Sequence, residues 1–489
     1  MTRLILIFST TFLNAVLFAQ APAIQWTKTF GGDSSDAGYS IQQTDDGGFI
    51  VIGKTRSFGA GNSDVWLIRT DSSGDTLWTQ TYGGVATDAG SSVRQISDGG
   101  HIIAGTTWSF GAGASDVWLI RTDSYGDTLW TQTFGRGSGL PFSGRESGSS
   151  AEMTSDGGYI IAGNWGTGNS YFVGNIVLIK TNTNGDSLWM RHFGGNGSRG
   201  LSAQQTSDGG YIIAGHNWYN AILIKTDANG DTLWTKMFEG ISEVYSNRSV
   251  HQTSDGGYVL CRNTLSSDNY DVNLIKTDAN GDTLWTKTFG DSGQDYCYSV
   301  QQTTDEGYVL CGYTNSYGSG DFDAWIIKTD ANGDTLWTKN LGGSGADFGF
   351  SMQQTSDGGY VLCGYTNSYG AGDANVWLIK LAPDVTTIEE NSHVSINDYQ
   401  LKQNYPNPFN PTTTINYQLA VNSKVELTIY NLLGQQIRTM VNTHQLAGAY
   451  QVQWNGRNES GMSVTSGIYF YQLNAGKDYS ETKKMVLMR

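Results

Sequence analysis

Cysteine, proline and charged side chains are all scarce in this sequence. Its 489 residues include 4 Cys and 6 Pro, and charged residues make up 15% of the chain. Four cysteines in so long a chain do not amount to a disulfide framework. Residues 1–400 carry 21 Lys and Arg against 41 Asp and Glu. Such an acidic body repels phosphate backbones, so nucleic acid is not an expected partner.

Long apolar runs are also missing, except at the start of the chain. Arg3 is followed by a mostly apolar run from Leu4 to Phe18 and then by the small residue Ala19. This pattern predicts a signal peptide over residues 1–19. No later stretch approaches the roughly 18 apolar residues of a membrane span. We therefore expect an exported protein, secreted or held at the outer cell surface.

Glycine and aromatic residues are abundant instead. The chain has 64 Gly, and aromatic residues make up 12% of it. This composition disfavours helices and favours short strands joined by tight turns. It also excludes a disordered chain, because so many aromatic side chains can bury a large apolar surface.

Two sequence markers repeat seven times with a period near 50 residues. One marker is a tryptophan, usually within Gly-Asp-(Thr/Ser)-Leu-Trp, at Trp26, Trp78, Trp130, Trp189, Trp234, Trp285 and Trp337. The other is Asp-Gly-Gly or Asp-Glu-Gly, beginning at Asp46, Asp98, Asp156, Asp208, Asp255, Asp305 and Asp357. A period of this length indicates a solenoid or a propeller.

One copy of the repeat divides into four strand-like runs. In residues 295–343 these are Tyr298–Thr303, Tyr308–Tyr313, Ala324–Thr329 and Thr335–Asn340. Asp-Gly and Asn-Gly pairs between them supply residues that tolerate positive φ, as hairpin turns require. Seven such sheets bury their faces on one another when they are arranged radially. We predict an all-β chain with a seven-bladed propeller over residues 24–381.

The two ends of the array complement each other. The last copy stops after the strand that contains Trp377, whereas the chain begins with a single strand that contains Trp26. If the first strand completes the seventh sheet, the ring closes without an exposed edge. The repeat Leu223–Trp234 also resembles quinoprotein-like (PQQ-like) propeller repeats, although its Asp227 to Trp234 spacing is one residue short of their docking motif. This resemblance implies the fold rather than an activity.

Strand order assigns the loops to two faces. The Asp-Gly-Gly and Asn-Gly-Asp turns share one face, and the loops between the second and third strands share the opposite face with the connections between blades. These second-to-third loops vary between copies, and variable loops on a rigid scaffold are usual recognition sites. Their aromatic residues suit sugar rings or protein anchors, although packing on their own loops is the alternative. The candidate ligand-binding residues are Trp108, Trp165, Trp218, Tyr219, Tyr317 and Tyr369.

A set of carboxylates precedes the first strand of five copies. A ring of them around a channel mouth would gather a cation such as calcium, although an Asp there also suits hydrogen bonds from turn N–H groups. The candidates are Asp36, Asp88, Glu146, Asp295 and Asp347. No other cofactor is expected. A serine six residues before each Asp-Gly-Gly, such as Ser299, is instead expected to make a structural hydrogen bond, because it recurs in every copy.

The cysteines follow the same repeat. Cys261, Cys311 and Cys363 occupy positions where other copies have alanine, which predicts small buried packing residues. Pairing of Cys297 with Cys311, which flank one hairpin, is the alternative. No Ser, His and Asp set stands apart from the repeat, so no catalytic residue is assigned.

The repeat motifs end and a different sequence pattern begins after a polar linker at residues 382–398. Residues 401–489 alternate apolar and polar positions and suggest a small Ig-like β-sandwich. The motifs that stand out are Asn404-Tyr405-Pro406-Asn407-Pro408-Phe409-Asn410-Pro411, the turn with Gly434, Ser466-Gly467-Ile468-Tyr469, and Lys483-Lys484. The segment resembles the type A C-terminal sorting domain of the type IX secretion system. That resemblance implies passage through the type IX translocon, followed by release or attachment to surface lipopolysaccharide.

Together these features predict a secreted or surface-displayed propeller that binds an unidentified glycan or protein. Two alternatives stay open. One is a secreted carbohydrate-active hydrolase or lyase, which a carboxylate pair confined to one or two blades would favour. The other is a structural component of a surface layer.

Overall fold

The computed structural model describes most of the chain as β-strands and turns. The described residues are 20–136, 145–166, 174–195, 197–217, 220–239, 249–266, 269–384, 399–404, 406–420, 423–445, 448–476 and 479–488. The predicted signal peptide and residues 385–398 of the predicted linker lie outside them. The chain divides into two compact units, one ending at residue 385 and one beginning at residue 386. None of the described residues belongs to a helix with the length and apolarity needed to cross a membrane.

The described residues of the first unit form seven four-stranded antiparallel sheets, here called blades 1 to 7. The chain enters through β1 (Ile24–Phe30), which belongs to blade 7. Blade 1 contains β2 (Ala37–Gln43), β3 (Phe49–Thr55), β4 (Asp64–Thr70) and β5 (Thr76–Tyr82). Blade 2 contains β6 (Asp88–Gln95), β7 (His101–Thr107), β8 (Asp116–Thr122) and β9 (Thr128–Phe134). Blade 3 contains β10 (Glu146–Met153), β11 (Tyr159–Gly166), β12 (Gly174–Thr181) and β13 (Ser187–Phe193).

The remaining blades follow the same plan. Blade 4 contains β14 (Arg199–Gln205), β15 (Tyr211–His216), β16 (Asn220–Thr226) and β17 (Thr232–Glu239). Blade 5 contains β18 (Val250–Gln252), β19 (Tyr258–Ser266), β20 (Asn269–Thr277) and β21 (Thr283–Phe289). Blade 6 contains β22 (Asp295–Gln302), β23 (Tyr308–Thr314), β24 (Asp323–Thr329) and β25 (Thr335–Leu341). Blade 7 contains β26 (Asp347–Gln354), β27 (Tyr360–Thr366), β28 (Asn375–Leu381) and β1. The four strands predicted for residues 295–343 are therefore confirmed, with small extensions at their ends.

The first strand closes the ring as predicted. It pairs antiparallel with β28, with Trp26 opposite Lys380 and Phe30 opposite Val376. The Nε1 of Trp377 also donates a 2.8 Å hydrogen bond to the Thr27 hydroxyl. The first strand of each blade contacts the first strands of its neighbours, and β26 contacts β2. The described sheets thus form a closed β-propeller with these first strands innermost.

The Asp-Gly-Gly turns build the hairpins between first and second strands. In blade 1, Asp46 Oδ1 accepts hydrogen bonds from the Thr44 hydroxyl at 2.7 Å and the Gly48 amide at 3.1 Å. Gly47 between them has a φ of 83°, which L side chains rarely adopt. The variant turn of blade 6 holds Glu306 in the same region, at a φ of 65°.

In every blade a buried Arg or Lys side chain pairs with the aspartate that begins the turn between the first and second strands. Arg69 Nη2 lies 2.5 Å from Asp46, and Lys328 Nζ lies 2.8 Å from Asp305. Equivalent ion pairs occupy the other five blades. A buried charge requires such a partner, so this repeated marker has a structural role.

Repeated tryptophans hold neighbouring blades together. The Trp285 ring on the outer strand of blade 5 packs edge-on against Tyr308 of blade 6, with 5.7 Å between ring centroids. It also covers Gly333 in a turn of blade 6, where a Cβ atom would lie 2.7 Å from the indole. The same arrangement recurs around the ring. Blade docking therefore explains these tryptophans.

All four cysteines are buried and free. The alternative pairing of Cys297 with Cys311 is wrong, because Cys297 lies opposite Gly312 in the β22–β23 ladder and Cys311 lies opposite Ser299. The Cys297 thiol instead donates a 3.4 Å hydrogen bond to the Ser299 carbonyl.

The second unit contains two antiparallel sheets around one core. One sheet has the order β29 (Gln400–Leu401), β30 (Thr413–Leu419) and β33 (Gly448–Trp454). The other has the order β32 (Gln436–Gln445), β31 (Ser423–Asn431), β34 (Gly467–Ala475) and β35 (Tyr479–Leu487). Trp454, Tyr417 and Tyr471 are among its fully buried side chains. This arrangement confirms the predicted Ig-like β-sandwich.

Candidate functional site: the channel mouth

The variable loops and the connections between blades share one face, here called the variable face. The loop after β3 places Ser63 beside Thr87 of the next connection, and the loop after β7 places Ser115 beside Arg145. The inner strands begin at this face. The side chains at their first positions therefore surround the mouth of the central channel on the variable face.

Two of the predicted ligand-binding residues pack on their own blades. The ring centroid of Tyr317 lies 5.5 Å from that of Trp325, and Tyr369 lies 5.7 Å from Trp377. The Tyr369 hydroxyl also donates to the Gly342 carbonyl at 2.9 Å. Both rings remain partly exposed. Both residues thus pack as the alternative interpretation supposed, and ligand binding by them stays a prediction.

The predicted tryptophans differ from one another. Trp108 follows β7 and is 41% exposed, whereas Trp165 lies within β11 and is 8% exposed. Trp165 contacts the His192 ring at 5.4 Å and the Arg136 guanidinium at 5.5 Å. Its placement in an exposed loop is therefore a correction, since it occupies the strand position of Thr107 in blade 2. Trp218 and Tyr219 lie outside the described residues.

The predicted carboxylate ring is not assembled as a metal cluster in the described residues. Four of its members are fully buried, and each accepts hydrogen bonds from the amide four residues earlier and from a serine hydroxyl of its own blade's variable loop. These bonds satisfy Asp36, Asp88, Asp295 and Asp347. No three His, Cys, Asp or Glu side chains among the described residues come together as a metal site. The carboxylates hold turns, as the alternative interpretation supposed.

Pairs of buried acidic side chains lie at more than one junction between blades, so they do not distinguish a single blade. Asp64 and Asp88 both lie against Gly83, where a Cβ atom would be 1.8 Å and 2.9 Å from their oxygens. The same contact joins Asp323 and Asp347 at Gly342. Burial and the charge of Asp88 raise the pKa of Asp64. Because the pairs repeat, they lack the confinement to one or two blades that would favour a carbohydrate-active enzyme.

Glu146 is the exception among these carboxylates. It is fully buried, and neither side-chain oxygen makes a hydrogen bond with a described side chain. The Arg136 Nε lies 3.9 Å from its Oε1. Burial and the charge of Asp116 raise the pKa of Glu146 to about 7, although Arg136 opposes the shift.

The central channel holds a cavity of about 650 Å³ between the inner strands. The repeated serine and glutamine side chains on its wall join one blade to the next. Ser150 Oγ accepts from the Ala203 amide at 3.1 Å, and Gln301 Oε1 accepts from the Gln354 amide at 2.9 Å. The structural role expected for the repeated serine is therefore confirmed.

Three blades break the glutamine pattern inside the channel. Arg94, Glu152 and His251 stand where other blades have Gln42, Gln204, Gln301 and Gln353. Arg94 Nη2 lies 3.4 Å from Glu152 Oε1. Burial and the charge of Arg94 lower the pKa of His251 to about 4, so this imidazole is neutral at pH 7.

The channel mouth divides into two chemically different sectors. Six blades have a described pair at the same register position: Ala37–Lys54, Ala89–Thr106, Ser147–Asn164, Arg199–His216, Tyr296–Tyr313 and Phe348–Tyr365. At the next channel position these blades have Tyr39, Ser91, Ser149, Leu201, Tyr298 and Phe350. Blades 6, 7 and 1 supply aromatic rings, whereas blades 2 to 4 supply Leu201 and otherwise small, polar or basic side chains.

The aromatic sector is a continuous cluster. It consists of Tyr39, Tyr296, Tyr298, Tyr313, Phe348, Phe350 and Tyr365. Ring centroids are 4.8 Å apart for Tyr296 and Tyr313, 4.4 Å for Tyr313 and Phe348, and 4.9 Å for Tyr298 and Phe350. All of these rings except Tyr298 are only half-buried. Burial raises the pKa of Tyr296 and of Tyr365 to about 12, so their hydroxyls stay protonated at neutral pH.

The sequence analysis missed the aromatic sector because it looked for loop residues. The signal was present in the repeat itself, at the first channel positions. These positions vary from Ala to Arg to Tyr while the Gly and Ser beside them recur, as Gly90 and Ser92 do in blade 2. A position that varies within an otherwise strict repeat is under a requirement other than the fold.

The residues predicted to form a sorting motif build one side of the second unit. The Asn404 side-chain amide donates to the Thr413 hydroxyl at 2.8 Å, and the side-chain Oδ1 of Asn407 accepts from the Val486 backbone amide at 2.9 Å. Phe409 is buried against Trp454. Asn407–Pro408 and Asn410–Pro411 are cis peptide bonds, and Pro406 supplies a carbonyl acceptor.

The other motif residues lie in turns and on the last strand. Gly434 has a φ of 75° in a turn, and Gly467 begins β34. Lys483 and Lys484 lie in β35, where Lys483 pairs with Glu481 at 3.0 Å. The motif thus joins the start of the unit to its final strand.

Comparisons with known proteins give one family match and several remote structural likenesses. Residues 407–478 match the FlgD Ig-like domain family. No curated protein matches the chain in sequence. The family match covers only the second unit, so it describes that unit alone.

The structural likenesses extend over more of the chain. PorZ, a surface component of the type IX secretion system of Porphyromonas gingivalis, is 10% identical, with a TM-score of 0.25 over 98% of this chain and 88% of its own. The WD40 domain of Toxoplasma gondii coronin is 11% identical, with a TM-score of 0.42 over 75% and 90%. A copper-bound fungal alcohol oxidase is 10% identical, with a TM-score of 0.44 over 96% and 100%. At these values they carry no argument about activity.

Proposed function

We propose that this protein is a surface-displayed propeller that binds a glycan at the aromatic sector of its channel mouth. The observation that carries the proposal is the cluster of seven aromatic side chains in blades 6, 7 and 1. Four of its members, Tyr296, Tyr298, Phe348 and Phe350, replace the alanine and serine found at the equivalent positions of blade 2. Half-buried aromatic rings offer apolar faces at low conformational cost, and tyrosine hydroxyls add hydrogen bonds.

Packing alone does not require these rings. Ala37 and Ala89 occupy the position of Tyr296 and Phe348 in blades whose strands keep the same register. Ser91 and Ser149 likewise occupy the position of Tyr298 and Phe350. The propeller therefore folds with small residues at these positions, and we infer that the aromatic replacements serve recognition.

The test uses variants that copy a sibling blade. The variant Tyr296→Ala, Tyr298→Ser, Phe348→Ala, Phe350→Ser gives blades 6 and 7 the channel residues of blade 2. We expect residues 20–489 to bind at least one of cellohexaose, xylohexaose and mannohexaose in calorimetry, and the variant to bind it at least about tenfold more weakly. Failure of all three sugars to bind, or unchanged binding by a folded variant, would overturn the proposal.

The second part of the proposal is the export route. We infer that the second unit directs the protein through the type IX translocon, on the basis of its resemblance to type A sorting domains. The cis-proline segment and β35 would form one recognition surface, since Asn407 joins them directly. Release or attachment to lipopolysaccharide would follow.

A reporter fusion tests the route separately from glycan binding. Residues 395–489 are fused to a periplasmic reporter in a host with a functional type IX system. We expect the reporter outside the cell, and we expect Asn407→Ala to reduce export because Val486 loses its hydrogen-bond acceptor. Retention of the unaltered fusion in the periplasm would contradict the assignment.

A further inference from the structure

A second cavity on the variable face lies in the other sector of the channel mouth. It has a volume of about 310 Å³ and is lined by side chains from blades 2, 3 and 4. Trp108, Arg145, Glu146, Asn164 and Arg199 are the side chains on which the argument depends. The volume is near the lower end of the range for small-molecule sites, about 300–1,000 Å³, and suits a single sugar residue.

This cavity is where the repeat is broken most heavily by charged residues. Arg136 replaces a residue that is Gly84 in blade 2, and Arg145 replaces Thr87. Arg199 replaces Ala89 at the first channel position. Three arginines thus enter one sector of a region that carries 41 acidic against 21 basic side chains.

Glu146 supplies the second, independent observation. The equivalent Asp88 accepts bonds from the Gly84 amide at 2.9 Å and from Ser109 and Trp108 of its own loop. Both oxygens of Glu146 lack a hydrogen bond from any described side chain, although the residue is fully buried. A buried carboxylate in this state is costly unless another group satisfies it. Glu146 lines the cavity, but its two oxygens are covered in this structure, so the side chain would have to turn for them to meet a ligand.

The remaining lining residues define the chemistry of that ligand. Two arginine side chains line the cavity, and a guanidinium binds a carboxylate through two parallel hydrogen bonds. Glu146 accepts hydrogen bonds from hydroxyl groups. Trp108 exposes 41% of its surface beside them, which provides an apolar face for a sugar ring.

We propose that this cavity binds one uronic acid residue of an acidic polysaccharide, with its carboxylate at Arg145 and Arg199 and its hydroxyls at Glu146. The site shares no residue with the aromatic sector. Its failure would leave the glycan-binding proposal for that sector intact, and the reverse also holds.

The test compares two probes that differ only in charge. Calorimetry is carried out on residues 20–489 with tetragalacturonate and with its fully methyl-esterified form. We expect the acid to bind at least about tenfold more tightly than the ester. Absence of binding by the acid, or equal binding of the two probes, would overturn the proposal, and tighter binding of the ester would indicate a neutral-sugar site instead.

Sibling residues again provide variants that the fold accepts. Arg199→Ala copies blade 2, Glu146→Asp copies four other blades, and Trp108→Asn copies the position of Asn315 and Asn367. Each is expected to weaken tetragalacturonate binding about tenfold, and the matched control Lys54→Thr, at the mouth of blade 1, is expected to leave it unchanged. Full affinity in folded Arg199→Ala, or an equal loss in Lys54→Thr, would contradict the assignment.

Discussion

The aromatic and basic sectors of the channel mouth occupy the same structural positions and have opposite chemistry. Tyr296 and Arg199 occupy the equivalent position near the start of an inner strand, and each lies opposite the corresponding residue of the second strand. Their surroundings differ because one blade pairs tyrosine with tyrosine and the other pairs arginine with histidine. The comparison shows that the repeat fixes where a side chain points and leaves its identity open.

The largest expected loss of stability comes from a tryptophan that docks one blade on the next, in contrast to the aromatic residues at the channel mouth. Trp337 is 4% exposed and joins blade 6 to Tyr360 of blade 7. We expect Trp337→Ala to lower the free energy of unfolding by about 3–5 kcal/mol, because it removes a large buried ring. Urea denaturation measures this loss. Tyr296→Ala is expected to cost clearly less, and a larger loss there would mean that the aromatic sector is primarily structural.

A channel glutamine should have an intermediate effect. Gln301 Oε1 accepts the Gln354 amide of the next blade. Gln301→Ala leaves that amide without its partner, so we expect a loss of about 1–2 kcal/mol in unfolding free energy. Gln204→Ala, which removes the equivalent bond to Gln252, is the matched comparison. A negligible loss in both would show that these bonds do not join the blades energetically.

The pH dependence distinguishes Glu146 from its siblings. A carboxyl group whose pKa is raised in the folded state destabilises the fold once it ionises. The contribution of Glu146 to stability should therefore decline as the pH rises from about 4.5 to about 7 and level off above that, given a folded pKa of about 7. We expect Glu146→Gln to unfold at a higher temperature than the unaltered chain at pH 8, and at a similar temperature at pH 4.

Asp88→Asn provides the contrast for that experiment. It weakens the bonds that Gly84 and Ser109 donate to the Asp88 carboxylate, so we expect it to destabilise the protein at pH 8. Equal behaviour of the two variants would mean that Glu146 is a turn acceptor like its siblings.

The smallest effect is expected in the variable loops. Tyr369 rests on Trp377 and remains partly exposed. Tyr369→Ala should lower the unfolding free energy by no more than about 1 kcal/mol and leave oligosaccharide affinity unchanged. A marked loss of affinity would restore the loop aromatics as the recognition site.

The sequence was sufficient for the fold because its markers repeat. Seven tryptophans, six Asp-Gly-Gly turns and one Asp-Glu-Gly turn predict seven blades, and the lone strand at Trp26 predicts the closure that the β1–β28 ladder shows. The alternation of apolar and polar residues likewise predicted the sandwich. In each case a local pattern specifies a local structure that packing then preserves.

The candidate site was less predictable because it depends on register. The bulge after Gly38 and its equivalents shifts which side chains face the channel, and no alternation pattern marks it. Trp165 was misplaced by one residue for a similar reason, since it continues β11 where a loop was expected. Arg145 and Arg199 are far apart in sequence, and the propeller brings both to one cavity.

Hydroxyl-radical footprinting with mass spectrometry tests the central claim most directly. Residues 20–489 are exposed to radicals with and without each neutral hexasaccharide, and the protection of individual aromatic side chains is compared. The account predicts protection of Tyr39, Tyr296, Phe348 and Phe350, with none at Tyr317 or Tyr369. Protection confined to Tyr317 and Tyr369, or no protection by any hexasaccharide, would contradict it.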